Sequence, residues 1–307
     1  MGRRHRHSNQ RRVNGILLLD KPSGLTSNAA LQTVKKLYRA RKAGHTGSLD
    51  PLATGLLPVC FGQATKMSAF LLEAGKRYRV KCRFGISTTT GDSDGEVTGT
   101  LESSGLDRGK LLTAIGQFTG EIFQVPPMHS ALRHKGERLY KLARAGVEVE
   151  REARPVSIYS LSLVSLEGEF TELDVECSKG TYVRTLVEDI ARSMGSLAHV
   201  VALRRTVVGP YQAADMVDMA TLESLASAGD LAGLDRLLLA VDSAVCDRPE
   251  LELSPDSAYY LSRGQPVSVA KAPARGEVRL YSANSSFLGI GEILEDGRVA
   301  PRRLFTG

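Results

Sequence analysis

Lys76-Arg77-Tyr78-Arg79-Val80-Lys81-Cys82-Arg83-Phe84 alternates cationic with mostly apolar residues without a break. Successive side chains on a strand point to opposite faces, so the segment predicts a half-buried strand. Tyr78, Val80, Cys82 and Phe84 face inward; Arg77, Arg79, Lys81 and Arg83 form a wholly cationic outer face. Leu173, Val175 and Cys177 alternate in the same way with Glu172, Asp174 and Glu176. Gly15 to Leu19 reads as a short buried strand before a Lys21-Pro22-Ser23-Gly24 turn, and His199 to Val208 is strand-like. Helical spacing separates these strands. Thr26 or Ser27 caps a helix with Ala30, Leu31, Val34, Leu37 and Tyr38 on its apolar side. Asp107 to Phe118 places Leu111, Leu112, Ile115 and Phe118 in register. Ser178 to Thr181 caps a helix with Val183, Leu186, Val187, Ile190 and Met194 inward, and Gly195 ends it. A short basic helix is expected over about 137–145, and two leucine-rich helices over about 220–240. Composition shifts at Arg248-Pro249, and 251–307 reads as a separate β-rich module with an Asp296-Gly297 hairpin turn.

The chain has 307 residues, 42% of them apolar, which is enough for one large domain and a small one. No apolar run approaches the roughly 18 residues of a membrane span, and the run behind the N-terminal arginines is too short for a signal peptide. A soluble cytoplasmic protein is expected. Cys60, Cys82, Cys177 and Cys246 are scattered, with no Cys-x-x-Cys pair. That spacing argues against zinc or a disulfide framework and for small buried hydrophobes.

The formal charge is +6, and its distribution says more than its total. Residues 1–12 hold Arg3, Arg4, Arg6, Arg11 and Arg12 without an acid, and read as a disordered basic arm. Lys35, Lys36, Arg39, Arg41 and Lys42 form a first cluster, and Lys76 to Arg83 a second. The third is Arg133, Lys135, Arg138, Lys141 and Arg144. Acids gather elsewhere, notably from Asp215 to Glu250. Segregation of this kind suits a polyanion, and nucleic acid is the expected partner.

Residues 44–55, Gly-His-Thr-Gly-Ser-Leu-Asp-Pro-Leu-Ala-Thr-Gly, carry the densest chemical signal. They set one carboxylate, Asp50, among three glycines and a proline. Glycine reaches backbone conformations closed to other residues, and Pro51 biases Asp50 toward an extended one. The pattern suits rigid presentation of Asp50 to a substrate; it also suits Asp50 as a helix N-cap ahead of Pro51. No Gly-Lys-Ser/Thr follows, so it is not a phosphate-binding loop. Asp92-Ser93-Asp94-Gly95-Glu96 misses calcium-loop spacing and reads as a turn. No zinc-protease or serine-hydrolase signature is present. What remains is Asp50 on a loop, Tyr78 on a strand and Arg184 at a helix start. A carboxylate that must stay ionised in a dry pocket needs a permanent cation beside it, and arginine serves.

Taken together, the motifs resemble the TruB family of bacterial tRNA pseudouridine 55 synthases. Besides residues 44–55, the resemblance rests on Gly15-Ile16-Leu17-Leu18-Leu19-Asp20-Lys21-Pro22, on Lys76 to Val80, and on Cys177-Ser178-Lys179-Gly180-Thr181-Tyr182-Val183-Arg184-Thr185. Ala198-His199-Val200 leading to Leu203-Arg204-Arg205 also agrees, and order and spacing fit from about Val13 to Phe305. The resemblance implies an α+β fold with a largely antiparallel mixed sheet and flanking helices over 13–250, and a PUA-like RNA-binding module over 251–307. It implies Asp50 as the nucleophile, Arg184 as its ion-pair partner, and Tyr78 against the flipped uracil as the base that removes the C5 proton. His45 would take part in extruding the nucleotide, Tyr182 and Leu203 would line the pocket, Lys21 would support the loop, and Asp92 would contact the uracil edge. The implied substrate is the T arm of tRNA; no cofactor, metal or obligatory protein partner is expected, and the enzyme is expected to be a monomer. Histidine at 129 stands where the family usually has tyrosine. An RNA chaperone and a guide-dependent synthase are the competing readings.

Removal of residues 1–12 is expected to weaken tRNA binding at low salt and leave the chemical step unchanged. Single-turnover kinetics at saturating enzyme check this; a slower chemical step contradicts it.

Overall fold

In a computed structural model, which describes residues 10–101 and 106–305, the alternating segment is the strand Lys76–Phe84 at the heart of a ten-stranded sheet. On one side it pairs antiparallel with Phe170–Cys177, on the other antiparallel with Ala198–Val208. The sheet continues from Ala198–Val208 to Thr54–Phe61, then Gly15–Lys21 and Val217–Asp218; in the other direction it runs through Arg154–Glu167 to Gly120–Gln124. Two contacts on this path are parallel, Thr54–Phe61 with Ala198–Val208 and Gly15–Lys21 with Val217–Asp218; the rest are antiparallel. The architecture is α+β, as the family resemblance implied.

Tyr78, Val80, Cys82 and Phe84 are buried against a core shared with the helices Ser27–Leu37, Arg108–Gln117 and Val183–Ser193. Thr26 caps the first of these, its hydroxyl accepting from Ala29 N at 3.1 Å. The third begins one residue later than its expected cap: Tyr182 holds the N-cap position without a side-chain cap, and Gln124 Oε1 accepts from Tyr182 N at 3.0 Å. The expected helix over 137–145 is shorter, Leu139–Arg144, because Glu137–Arg138 pairs as a strand with Arg133–His134. Cys60, Cys82 and Cys177 are buried and Cys246 is exposed.

The outer face of the central strand is not free positive charge. Arg77 lies 2.6 Å from Asp174, Arg79 reaches Asp174 and Glu172, and Arg83 lies 2.8 Å from Glu169. Lys81 sits over the Phe170 ring, and Lys76 turns inward to donate to the carbonyls of Leu72 and Ala74. The three arginines of the expected second basic cluster are therefore paired with acids, while its two lysines are not. Nor is the basic arm free through residue 12. Arg11 donates to both carboxylate oxygens of Asp235 at 2.6 and 2.7 Å and to Tyr38 O at 3.0 Å; residues 1–9 lie outside the described ones.

A second sheet, Glu250–Leu253, Gly276–Ser282, Phe287–Ile293 and Val299–Leu304, packs with the helix Pro255–Ser262 around its own core. Its hairpin turns at Asp296-Gly297, where Leu294 N donates to Arg298 O at 2.8 Å. Ile290, Phe287 and Phe305 cross to pack against Ile16, Leu18 and Met67 of the main unit. Lys66 Nζ donates to Leu304 O at 3.0 Å, and Arg303 donates back to Lys66 O at 2.7 Å. No helix among the described residues is long and apolar enough to cross a membrane.

Where Thr54–Phe61 meets Ala198–Val208, Gly55 is opposite Arg205 and holds a φ of +96°. A Cβ there would overlap the Arg205 carbonyl and lie 2.9 Å from Arg205 N. Gly44 has no such neighbour. Gly55→Ala is expected to cost about 3 kcal/mol in urea unfolding and Gly44→Ala under about 1 kcal/mol. Equal costs would contradict this account of Gly55.

Candidate active site

Asp50 lies in the irregular segment between the strands Ala43–His45 and Thr54–Phe61. No helix follows it; Ala53 N donates to Asp50 O at 3.1 Å in a single turn, so the N-cap reading fails and presentation on a loop stands. The loop is clamped on both sides of Asp50. Ser27 Oγ accepts from Leu49 N at 2.7 Å and donates to Leu49 O at 3.0 Å. Pro51 O accepts from Gly24 N at 2.8 Å and from Lys21 Nζ at 3.4 Å. Gly47, at φ +90°, turns its carbonyl to Arg205 Nη2 at 3.2 Å. The side chains doing this come from two stretches of chain, Lys21 and Ser27 from one and Arg205 from the other. They fix the backbone while leaving the Asp50 side chain 40% exposed.

Arg184 completes the arrangement from the first turn of Val183–Ser193. A cation there opposes the helix dipole, and this one is also 5% exposed, so its partners must offset both costs. Its Nε is 3.0 Å from Asp50 Oδ2 and 3.7 Å from Asp92 Oδ2. Nη1 donates to Thr90 O at 2.5 Å and Nη2 to His129 O at 2.8 Å. The contact at 129 is made by the backbone, so histidine in place of tyrosine leaves it intact. Asp92 is buried, and Oδ1 also accepts from Thr90 Oγ1 at 2.5 Å and Asp94 N at 3.1 Å. Its oxygens are thus engaged with Arg184 and its own turn.

Burial pushes the Asp50 carboxyl above its ordinary value; Arg184 is the strongest influence pulling it back, Asp92 pushes it up and Lys21 pulls it down. Lys21 is wholly buried, donates to Pro22 O and Leu25 O as well as Pro51 O, and is lowered by burial to about 8. Tyr78 is buried at the register position opposite Arg205; burial raises its phenol and Arg205 opposes the rise. Leu203 is two positions along the same strand, opposite Val80. Tyr182 is half-buried at the helix start, its phenol raised by burial and drawn down by Arg184. His45 is half-buried at the loop entrance, lowered chiefly by burial, with a buried Nδ1 that has no hydrogen-bond partner.

Three consecutive family segments match the chain: TruB family pseudouridylate synthase, N-terminal domain, over residues 35–183; tRNA pseudouridylate synthase B C-terminal domain over 184–246; and pseudouridine synthase II TruB, C-terminal, over 249–305. A tRNA pseudouridine synthase B of Nitrosococcus oceani is 55% identical over 292 residues, 95% of this chain and 94% of that one. The chain belongs to the TruB family. Its counterpart from Ectopseudomonas mendocina is 54% identical over 97% of each chain, and one from Coxiella burnetii 53% over 96% of each. The protein is accordingly an enzyme, a TruB-type tRNA pseudouridine synthase. In fold it is similar to a chain of a Cbf5-Nop10-Gar1 complex, with a TM-score of 0.73 at 23% identity, covering 95% of this chain and 85% of that one. A chain of an H/ACA RNP bound to a substrate RNA has a TM-score of 0.72 at 22% identity, covering 95% and 85%.

Sequence reasoning missed two residues of this TruB site. Arg205 appeared only as part of a matching segment, and Ser27 only as an alternative helix cap. Both act through main-chain atoms of a loop far away in sequence, which no local pattern reports. Among the described residues the first and third basic clusters make no ion pair with an acid. Lys36, Arg39, Arg41 and Lys42 are exposed just ahead of the loop. Arg144, from the third, is close enough to influence His129 beside Arg184.

Ionised Asp50 is the form that Arg184 favours, so removing Arg184 must raise the pH at which Asp50 loses its proton. In Arg184→Gln the acid limb of the single-turnover pH profile is expected to move to higher pH, with a lower plateau. An unmoved limb contradicts the pairing.

Proposed function

We propose that the enzyme isomerises the T-loop uridine at position 55 of tRNA, with Asp50 as nucleophile on a flipped-out nucleotide. The observation that carries the reading is the 3.0 Å pair between Asp50 and a buried Arg184, on a loop whose backbone is held on both sides. The chemistry breaks the C1′–N1 bond, forms C1′–C5, removes the C5 proton and adds one at N1. Composition and oxidation state are unchanged, so the reaction needs no redox cofactor. Asp50 acts as a carboxylate while the uracil is detached; Arg184 holds it ionised and aimed, and Asp92 and the Thr90 and His129 carbonyls hold Arg184.

Tyr78 lies against the uracil and is the base that takes the C5 proton late; its own proton passes through solvent to N1 in the same step, and the C–H electron pair returns to the ring. Tyr182 and Leu203 line the same pocket. His45 enters the gap left in the RNA; flipping costs a few kcal/mol and less for an irregular loop base. The two flanking basic clusters meet T-arm phosphates, read by shape and charge. In this reading residues 13–250 are the catalytic unit, 251–307 a PUA-like module on the stem, and the enzyme works in the cytoplasm as a monomer without a protein partner.

Nucleotide-resolved mapping of unmodified tRNA incubated with the purified chain alone is expected to show one new pseudouridine, in the T loop. Modification elsewhere, or only with added protein or guide RNA, contradicts the assignment. Tyr78→Phe is expected to lose at least about 100-fold in single-turnover rate while still binding tRNA.

A further inference from the structure

Arg205 is the largest fully buried side chain in the described structure, at 1% exposure. Its guanidinium meets two carbonyls and the Tyr78 phenol rather than a carboxylate: Nε donates to Leu56 O at 2.7 Å, Nη2 donates to Gly47 O at 3.2 Å, and the side chain hydrogen-bonds Tyr78. No carboxylate lies within ion-pair distance of it among the described residues. A buried cation without a counter-charge is costly, and an apolar side chain of similar volume would fill the space at less cost. The charge is therefore retained for what it holds. Gly47 and Leu56 bracket the segment that carries Asp50. The Arg205 backbone lies against Gly55 on one side and opposite Tyr78 on the other. One residue thus touches both ends of the nucleophile's loop and the strand of the pocket tyrosine. Its charge also lowers Lys21, His45, Lys76 and Tyr78, which surround it.

We propose that Arg205 is a positioning residue whose guanidinium ties the Asp50 loop, at Gly47 and Leu56, to the strand bearing Tyr78. The substrate never touches it; its contribution is to keep nucleophile and pocket wall at a fixed separation. The inference rests on the reading of Asp50 and Tyr78 given above. A lysine keeps the charge and most of the length, but one ammonium cannot reproduce the planar fork that reaches both carbonyls.

The test compares Arg205→Lys and Arg205→Gln with the intact enzyme in single-turnover rate at saturating enzyme and in tRNA dissociation constant, with Asp50→Asn in parallel. Arg205→Lys is expected to bind tRNA within about threefold of the intact enzyme and to react at least about fivefold more slowly; Arg205→Gln should be slower again, by about 100-fold. A loss below about fivefold in Arg205→Lys, or one carried entirely by tRNA affinity, overturns the proposal. If the buried glutamine prevents folding, the lysine variant decides alone. Turnover by Asp50→Asn would instead overturn the reading beneath the proposal, so the two failures are distinguishable.

Discussion

A carboxylate and a guanidinium 3.0 Å apart, Asp50 and Arg184, make demands that much of the surrounding structure meets. Arg184 is buried at the positive end of a helix, where neither solvent nor the dipole helps it. Its remaining donors must find acceptors, and the Thr90 and His129 carbonyls and Asp92 provide them. The acceptors come from two loops, Thr90 and Asp92 from one and His129 from the other, so the turn around Asp92 and the extended stretch before residue 130 are both ordered around one side chain. Asp50 faces the opposite difficulty. Burial favours its neutral form, and the arginine opposes that tendency while leaving an open side to the carboxylate.

The pair alone would not fix Asp50 in space, because a loop with three glycines has much backbone entropy to lose. That loss is offset by hydrogen bonds from side chains anchored in regular elements: Ser27 in a helix, Lys21 and Arg205 in strands. Glycine at 55 then serves the opposite purpose from flexibility. It lets two strands approach where any Cβ would collide with the Arg205 backbone.

Much of this was legible from period and residue type. The strict alternation at 76–84 gave the central strand and the inward phenol, and the apolar spacing after Tyr182 gave the helix that carries Arg184. The resemblance carried by residues 44–55, Arg184 and Tyr78 named a site that the fold brings together at Asp50 and Arg184. What the sequence concealed is long-range. The cationic face of the central strand looked like an RNA surface because its acidic partners, Glu169, Glu172 and Asp174, lie about ninety positions away. Arg11 looked like part of a free arm because Asp235 binds it from the far side of the chain. Arg205 stood in the sequence only as part of a matching segment, because its acceptors are main-chain oxygens common to every residue.

The central claim is that an ionised Asp50 performs the isomerisation. The most direct measurement is tritium release from C5-labelled uridine in unmodified tRNA, comparing the intact enzyme with Asp50→Asn at matched tRNA occupancy. Release by the intact enzyme and none by the variant is the predicted result. Release by both at similar rates would contradict the claim and move the nucleophile elsewhere in the site.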